Sequence, residues 1–373
     1  MSLRDYIQRE VAPHAAAWDR DERIPRASVT GLAAHGVLGA TIDAAHGGSA
    51  LAAPAWGEVL EAVGEASMSL LSVLTVHAMC SSAIGRWGGA ELKQTWLPAL
   101  AKGEKLGAFA LSEPGIGSDA KNIETRLDDA GDHWRLYGKK RWISAAEMAD
   151  VFLVFARAEK GPTAILVPRE STGLSIAPIE GMLGYRGARV GEITFENVTV
   201  SKAQALGPVG MGFAYVASAA LDVGRFCIAC GSTGLIRACL TASVEYARTR
   251  QQFGVALREH QLVQAMLADM ATSYKAARSL CRAAAERRAQ GDPSSIAETT
   301  VAKYFASTAA SRAANDAVQI HGAQGCAPDY PVQRYFRDAR IGEIIEGSNQ
   351  MQQLMIAQEA CREFATPRKK ASV

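Results

Sequence analysis

The sequence predicts an α+β chain, mainly helical, in which a compact β block separates two helical regions. Three observations predict it. Residues 1–105 are Ala-rich and helical in pattern, residues 106–205 carry short β-branched and aromatic runs, and a 3.6-residue apolar period returns from about 210 onward. Helix, then strands, then helix argues against a doubly wound sheet, where the two alternate. A chain of 373 residues is too long for one small core. The expected units are 1–105, 106–205 and 206–365, followed by a tail at 366–373.

In the first unit the helical pattern is interrupted at Pro25, Gly36-Val37-Leu38-Gly39 and Gly47-Gly48. In the second, residues 134–137, 151–155, 164–167 and 193–195 read as strands. Turns at Asp128-Asp129, Gly131-Asp132, Gly161-Pro162 and Ser171-Thr172-Gly173 separate them. In the third, Leu262, Met266, Met270 and Tyr274 mark one apolar stripe, followed by Arg-rich turns at 282–288, and a second long helix is expected over 295–319.

Hydrophobic residues at 48% and charged residues at 21% are ordinary for a globular chain, so burial is not limiting. A formal charge of +2 has no strong sign and argues against nucleic acid or an anionic membrane as partner. No apolar run reads as the length of about 18 residues that a membrane span needs, and no signal peptide opens the chain. Cytoplasm is therefore the expected compartment. The basic end Arg368-Lys369-Lys370 reads as a solvated tail. Seven cysteines without regular spacing fit buried, reduced thiols. Cys227 and Cys230 stand in an Ala/Leu-rich helical stretch with no second pair, so they read as two buried helix residues, and no metal site is expected.

The chemistry-bearing candidate is Glu346. Flanked by Ile344 and Ile345, it sits in expected apolar surroundings, which lift a carboxyl pKa toward neutrality and suit a general base. Gly347 breaks the chain direction and Ser348 caps a new helix through Met351, Leu354, Met355 and Gln358. Taken alone, a glutamate placed for the helix dipole is the simpler reading. Upstream, Gly115-Ile116-Gly117-Ser118-Asp119-Ala120 is a formal G-x-G-x-x-A, but no helix and second strand follow it as a dinucleotide fold requires. It offers instead a strand ending in Ser112 and a turn with free backbone N–H groups. Gly138-Lys139-Lys140-Arg141-Trp142-Ile143-Ser144 ends a basic hairpin in an aromatic and a hydroxyl, suited to cover a planar ring, though a core tryptophan is the default. Arg248 and Arg250, before Gln251-Gln252-Phe253-Gly254, could clamp a phosphate or simply form a solvated face.

Together these segments carry more than any one of them. Ser112-Glu113-Pro114 with Gly117-Ser118-Asp119, Trp142-Ile143-Ser144, Arg250-Gln251-Gln252-Phe253-Gly254, Gln319-Ile320-His321-Gly322 and Ile345-Glu346-Gly347-Ser348 occur in order and spacing. With them the chain resembles the acyl-CoA dehydrogenase family over nearly its whole length. The resemblance implies a helical N-terminal domain, a central β-barrel domain and a C-terminal four-helix bundle, packed as a homotetramer or homodimer, with FAD as cofactor. It implies that Phe109, Leu111 and Ser112 border the flavin ring, that Gly117 and Ser118 lie at the pyrophosphate and the substrate's carrier arm, and that Trp142, Ile143 and Ser144 cover the other side. Arg250 and Phe253 match residues that reach the FAD of a neighbouring subunit; Gln319 with Gly322 matches a segment on its adenosine-diphosphate half, and Ser348 with Gln350 a further contact. Ser118, Arg225, Ile345 and Gly347 fall toward the substrate, and Glu346 matches the base. Some members place the base just before the arginine that here is Arg225, where this chain has Gly224.

The implied reaction is α,β-dehydrogenation of an acyl-CoA or acyl-carrier-protein thioester, with an electron-transfer flavoprotein as acceptor. The base's own backbone N–H is implied to polarise the thioester carbonyl. Ile345 stands where fatty-acid-oxidising members commonly carry an aromatic, and Ala323 replaces the second glycine after Gln319. With Ser69-Leu70-Leu71-Ser72-Val73-Leu74-Thr75-Val76-His77, these traits are similar to a branch that makes hydroxy- or methoxymalonyl extender units for polyketides; a general short-chain acyl-CoA dehydrogenase is the other expectation. A flavin-dependent monooxygenase or oxidase on the same fold, and a non-catalytic relative acting as a binding protein, are the alternatives.

Overall fold

The computed structural model describes residues 2–365, so the basic stretch Arg368-Lys369-Lys370 lies outside the described residues. Three short helices, α1 (Leu3–Tyr6), α2 (Ala15–Arg20) and α3 (Arg26–Thr30), precede α4 (Ala53–Ala66), α5 (Met68–Trp87) and α6 (Ala90–Ala101). Ser67 caps α5, its hydroxyl accepting from the Leu70 N–H at 3.2 Å. By length and composition α5 and the segment Gly212–Thr249 are each apolar enough to cross a membrane, which corrects the expectation above. In α5, 89% of that apolar window is buried inside the protein. Its hydroxyls hide the run in the sequence, yet they are satisfied within the helix: Thr75 donates to Leu71 O and Ser81 to His77 O, both at 2.8 Å.

The strands form one eight-stranded sheet: β1 (Gly107–Ala110), β2 (Arg126–Asp129), β3 (His133–Ile143), β4 (Val151–Ala158), β5 (Gly161–Pro168), β6 (Leu174–Pro178), β7 (Gly191–Ser201) and β8 (Ala205–Leu206). Their order is β6-β7-β3-β2-β4-β5-β8, and β1 runs parallel to β4 with Phe109 opposite Leu153. All four expected runs lie in strands, and β4 and β5 are buried along most of their length, as apolar runs require. Two local expectations change. β1 ends at Ala110, two residues before Ser112. Residues 138–143 are not a hairpin end: β3 runs through them against β7 and stops just before Ser144, with register irregularities at Leu136/Gly138 and Lys140/Ile143. Between β1 and β2 there is only a 3₁₀ turn, Ala120–Asn122, so no βαβ unit forms around the Gly-rich segment.

The C-terminal region comprises α7 (Ser218–Thr249), a small hairpin of β9 (Gln251–Gln252) and β10 (Val255–Ala256), then α8 (Gln261–Ala289), α9 (Ser295–His321), α10 (Val332–Gly342) and α11 (Asn349–Glu363). α7 is the pivot: it packs on α8 and α9 within the bundle and on α4 and α5 of the N-terminal region. The arginines at 282–288 lie in the last turns of α8. In the expected stripe Met270 is buried and Met266 and Tyr274 pack partly against the core, but Leu262, in the first turn of α8, is 81% exposed. Cys227 and Cys230 are buried in α7, and all seven cysteines are free; Cys326 and Cys361 are exposed, against the expectation of buried thiols.

Candidate active site

Glu346 sits in a strained link between two helices. After α10 the N–H groups of Ile344 and Ile345 both return to Ile341 O, at 2.9 and 3.1 Å. The chain then turns left-handed at Glu346 (φ 55°) and Gly347 (φ 86°), and Ser348 caps α11 by accepting from Met351 N at 3.4 Å. A left-handed glutamate is uncommon and persists only where neighbours hold it. Here Arg225 Nε donates to Glu346 O at 3.2 Å, and Gln352 Nε2 donates to Gly347 O at 2.9 Å. The Glu346 N–H itself has no backbone acceptor among the described residues.

The carboxylate rests on bare helix backbone. A Cβ added at Gly224 would lie 2.3 Å from Glu346 Oε2 and 2.6 Å from its Cδ. Oε2 is buried without a hydrogen-bond partner among the described residues. Burial pushes the carboxyl up to about 7, against the pull of the Arg225 and Lys303 cations. The elevated pKa and its cause, burial, were expected; the surface that buries the carboxylate was not. Ile344 is 51% exposed, and the carboxylate is buried instead against α7.

If Glu346 takes a proton from a substrate it must be ionised to do so, and kcat/KM should then rise with pH through about 7, with an acid limb that a pH–rate profile reads directly. A limb near the usual carboxylate range would refute the assignment. The linked stability has the opposite sense: because the folded carboxyl is raised, its contribution is fully present at low pH and is lost as pH rises through about 7.

Around Glu346 opens a cleft of about 1260 Å³. It is lined by Phe109, Leu111, Ser112, Gly117 and Ser118 from the β1 end and its loop, by Trp142, Ile143 and Ser144 from the β3 end, and by Arg225, Ile345, Gly347 and Ser348 beside the glutamate. Arg141 N donates to Ser112 O at 2.9 Å, tying the two loops together. Ser144 Oγ and Ser72 Oγ of α5 lie 2.9 Å apart. Trp142, at φ 64° and 50% exposed, has the Arg141 guanidinium 4.7 Å from its ring centroid.

The Gly-rich loop is anchored at its root and open at its tip. Lys140 is fully buried, its Nζ donating to Glu113 Oε1 at 2.7 Å and to Leu111 O at 3.0 Å, while Glu113 also accepts from Glu124 N and Thr125 N at 2.6 and 3.0 Å. A Cβ at Gly115 or Gly117 would meet nothing within 4 Å, which leaves the loop face free for a ligand. Lys140→Met would strand the buried Glu113 carboxylate, so it should lower stability by about 3–5 kcal/mol. Denaturant midpoints would show this, and an unchanged midpoint would mean the pair does not anchor the loop.

Other candidates stay outside the cleft. Arg250, Phe253, Gln319, Gly322 and Gln350 are exposed and do not line it. Phe253 is at the tip of the β9–β10 hairpin, 94% exposed, with Phe253 and Gly254 at φ 54° and 83°.

Three domain models of one family, laid end to end, match this chain: Acyl-CoA dehydrogenase, N-terminal domain over residues 1–104, middle domain over 108–198 and C-terminal domain over 210–361. The chain belongs to the acyl-CoA dehydrogenase family. Its relatives are oxidoreductases acting on CH–CH donors. It is 37% identical over 369 residues to the mitochondrial short-chain specific acyl-CoA dehydrogenase of Mus musculus, covering 97% of this chain and 89% of that protein. Butyryl-CoA dehydrogenase from Megasphaera elsdenii matches with a TM-score of 0.93 at 30% identity over 96% of each chain. FkbI, for biosynthesis of the methoxymalonyl extender unit of the Fk520 polyketide, matches with a TM-score of 0.91 at 34% identity, covering 98% of this chain and 100% of that one.

Several residues of this acyl-CoA dehydrogenase cleft carried no local sequence signal. Ser72 and Thr75, noted in the sequence only within the run 69–77 and not as site residues, line it from the buried helix α5. Asp222, paired with Arg288 at 2.6 Å, lines it with Oδ1 unpartnered among the described residues. Lys303 is fully buried behind the Glu346 loop. For Lys303 a signal existed: it stands inside the apolar run Val301-Ala302-Lys303-Tyr304-Phe305-Ala306, where a solvated lysine is out of place.

Proposed function

We propose that the chain is an FAD-dependent dehydrogenase of a short acyl thioester, with Glu346 abstracting the α-proton. The observation that carries this is a buried, unpartnered carboxylate with a pKa pushed to about 7, facing the same cleft as Trp142, Ser112 and Ser144. Those residues fit a flavin: a half-open indole beside two hydroxyls and a loop with no side chain at Gly115 and Gly117 suits a planar ring with a polar edge and a phosphate tail. Phe109, Leu111, Ser112, Gly117, Ser118, Trp142, Ile143, Ser144 and Ser348 would hold it. FAD supplies the hydride acceptor when bound.

This chain's own residues do the rest. The free Glu346 N–H is a donor for the thioester oxygen, which makes the α-proton acidic enough for a carboxylate. Glu346 takes that proton, the β-hydrogen leaves as hydride, and an α,β-unsaturated thioester remains. Arg225 keeps the loop in place through Glu346 O, while Ile345, Gly347 and Ser118 border the substrate. We assign Arg250, Phe253, Gln319, Gly322 and Gln350 to the FAD of a neighbouring copy in a homodimer or homotetramer; the exposed Phe253 hairpin supports this. The reading includes a cytoplasmic enzyme that passes electrons to an electron-transfer flavoprotein. Likeness to FkbI favours an acyl-carrier-protein thioester from extender-unit biosynthesis, and likeness to the short-chain enzyme favours acyl-CoA.

The test is anaerobic mixing of the oxidised holoprotein with panels of short acyl-CoA and acyl-carrier-protein thioesters. Bleaching of the flavin absorbance by one of them is the expected result and names carrier and acyl group together. No bleaching by any short thioester would overturn the reading. Rapid reoxidation by air after bleaching would favour the oxidase alternative.

A further inference from the structure

α9 holds the Glu346 loop from behind through one side chain. Lys303 is fully buried, and its Nζ donates to Asn349 Oδ1 at 2.9 Å, to Gly347 O at 3.0 Å and to Glu343 O at 3.4 Å. An ammonium has three donors, and all three are used. The acceptors lie three residues before Glu346, one residue after it and three residues after it. One helical turn on, Ser307 Oγ donates to the same Asn349 Oδ1 at 3.1 Å, and Asn349 Nδ2 donates to Thr308 Oγ1 at 3.0 Å. Asn349 N closes the ring onto Glu343 O at 2.9 Å. Burial lowers the Lys303 pKa to about 7 while the Glu346 and Glu343 carboxylates pull it up, so the ammonium that fits these three acceptors is the form present below about pH 7.

We propose that Lys303 is a positioning residue for the base: it ties the chain on both sides of Glu346, holds the left-handed turn there, and keeps a cation behind the carboxylate. This rests on Glu346 being the base. Lys303 itself has no donor left for substrate, so it acts through the loop. Two cations from two helices, Arg225 of α7 and Lys303 of α9, oppose the burial of one carboxylate. The other titratable groups facing this knot are Glu343 on the loop, Asp222 and Arg288 beside Arg225, Cys227 of α7, and Tyr185 and Asp338 on the far side of Glu346. None of them donates to the carbonyls that Lys303 holds.

The experiment compares wild type with Lys303→Met as FAD-loaded enzymes, using the thioester that bleaches wild type best. Lys303→Met is expected to lower kcat/KM at neutral pH by about 10- to 100-fold through misplacement, and to move its acid limb up by about one pH unit through loss of a nearby cation. Hydrogen exchange of residues 343–349 should speed up by about tenfold or more. A role in packing alone would lower Tm without moving the limb. A folded Lys303→Met with the wild-type limb and exchange overturns the proposal. If Lys303→Met does not fold, Asn349→Ala keeps the cation and removes one tie: faster exchange and lower kcat with an unmoved limb support the proposal, and unchanged exchange and kcat overturn it. Exchange does not depend on turnover, so a wild type that bleaches with no thioester refutes the proposed activity while the loop measurement still decides the role of Lys303.

Discussion

Glu346→Gln is expected to leave a folded, flavin-binding protein in which thioester oxidation falls by about 10⁴-fold, the upper range for loss of a positioned general base. Glutamine has the shape of the glutamate and can keep its seat on Gly224, so the change removes proton acceptance and little else. The backbone contacts that hold the loop, from Arg225 to Glu346 O and from Gln352 and Lys303 to Gly347 O, involve no carboxylate atom and should survive. Burial disfavours the ionised carboxylate, so above about pH 7 the variant should be at least as stable as wild type. Single-turnover flavin reduction and thermal unfolding, measured side by side, separate these outcomes. Reduction within tenfold of wild type would mean that another group takes the proton. A much lower Tm would mean that the carboxylate is a structural ion-pair member.

The fold was legible where periodicity speaks for itself. Residues 151–155 and 164–167 are short apolar runs between turns, and they pair as β4 and β5; the 3.6-residue pattern placed α9 to within two residues of its end. The failures were local and electrostatic. Lys139-Lys140-Arg141 reads as part of a basic hairpin, because nothing in the sequence tells Lys140 that Glu113 will sit 2.7 Å away in the interior. The apolar length of α5 is hidden in the sequence, because its serines and threonines look polar until their hydroxyls are seen bonded back to the helix. The same holds at the site. Glu346 could be singled out from its neighbours in sequence, but its environment is made by Gly224, Arg225 and Lys303, which are distant in sequence and come together only when α7 and α9 pack.

Gly224→Ala should separate stability from activity. The new Cβ would meet Glu346 Oε2 at 2.3 Å and Cδ at 2.6 Å, distances that real side chains do not tolerate, so something must move. What moves is the far end of a flexible side chain, with no backbone in the way, and alanine is favoured over glycine inside a helix by about 1 kcal/mol. The fold should therefore be preserved, with Tm unchanged or raised. The carboxylate, however, loses its seat: turning it toward the cleft or away from it shifts the proton acceptor by the order of 1 Å, enough to cost about 10²-fold in rate. The direction of the turn is readable as well, since release into the more solvated cleft should lower the acid limb of kcat/KM from about 7 toward the ordinary carboxylate range. A Gly224→Ala enzyme that keeps both the wild-type rate and the wild-type limb would show that the close seat on α7 is not where the base works. One that unfolds would show that α7 needs the glycine for its own packing.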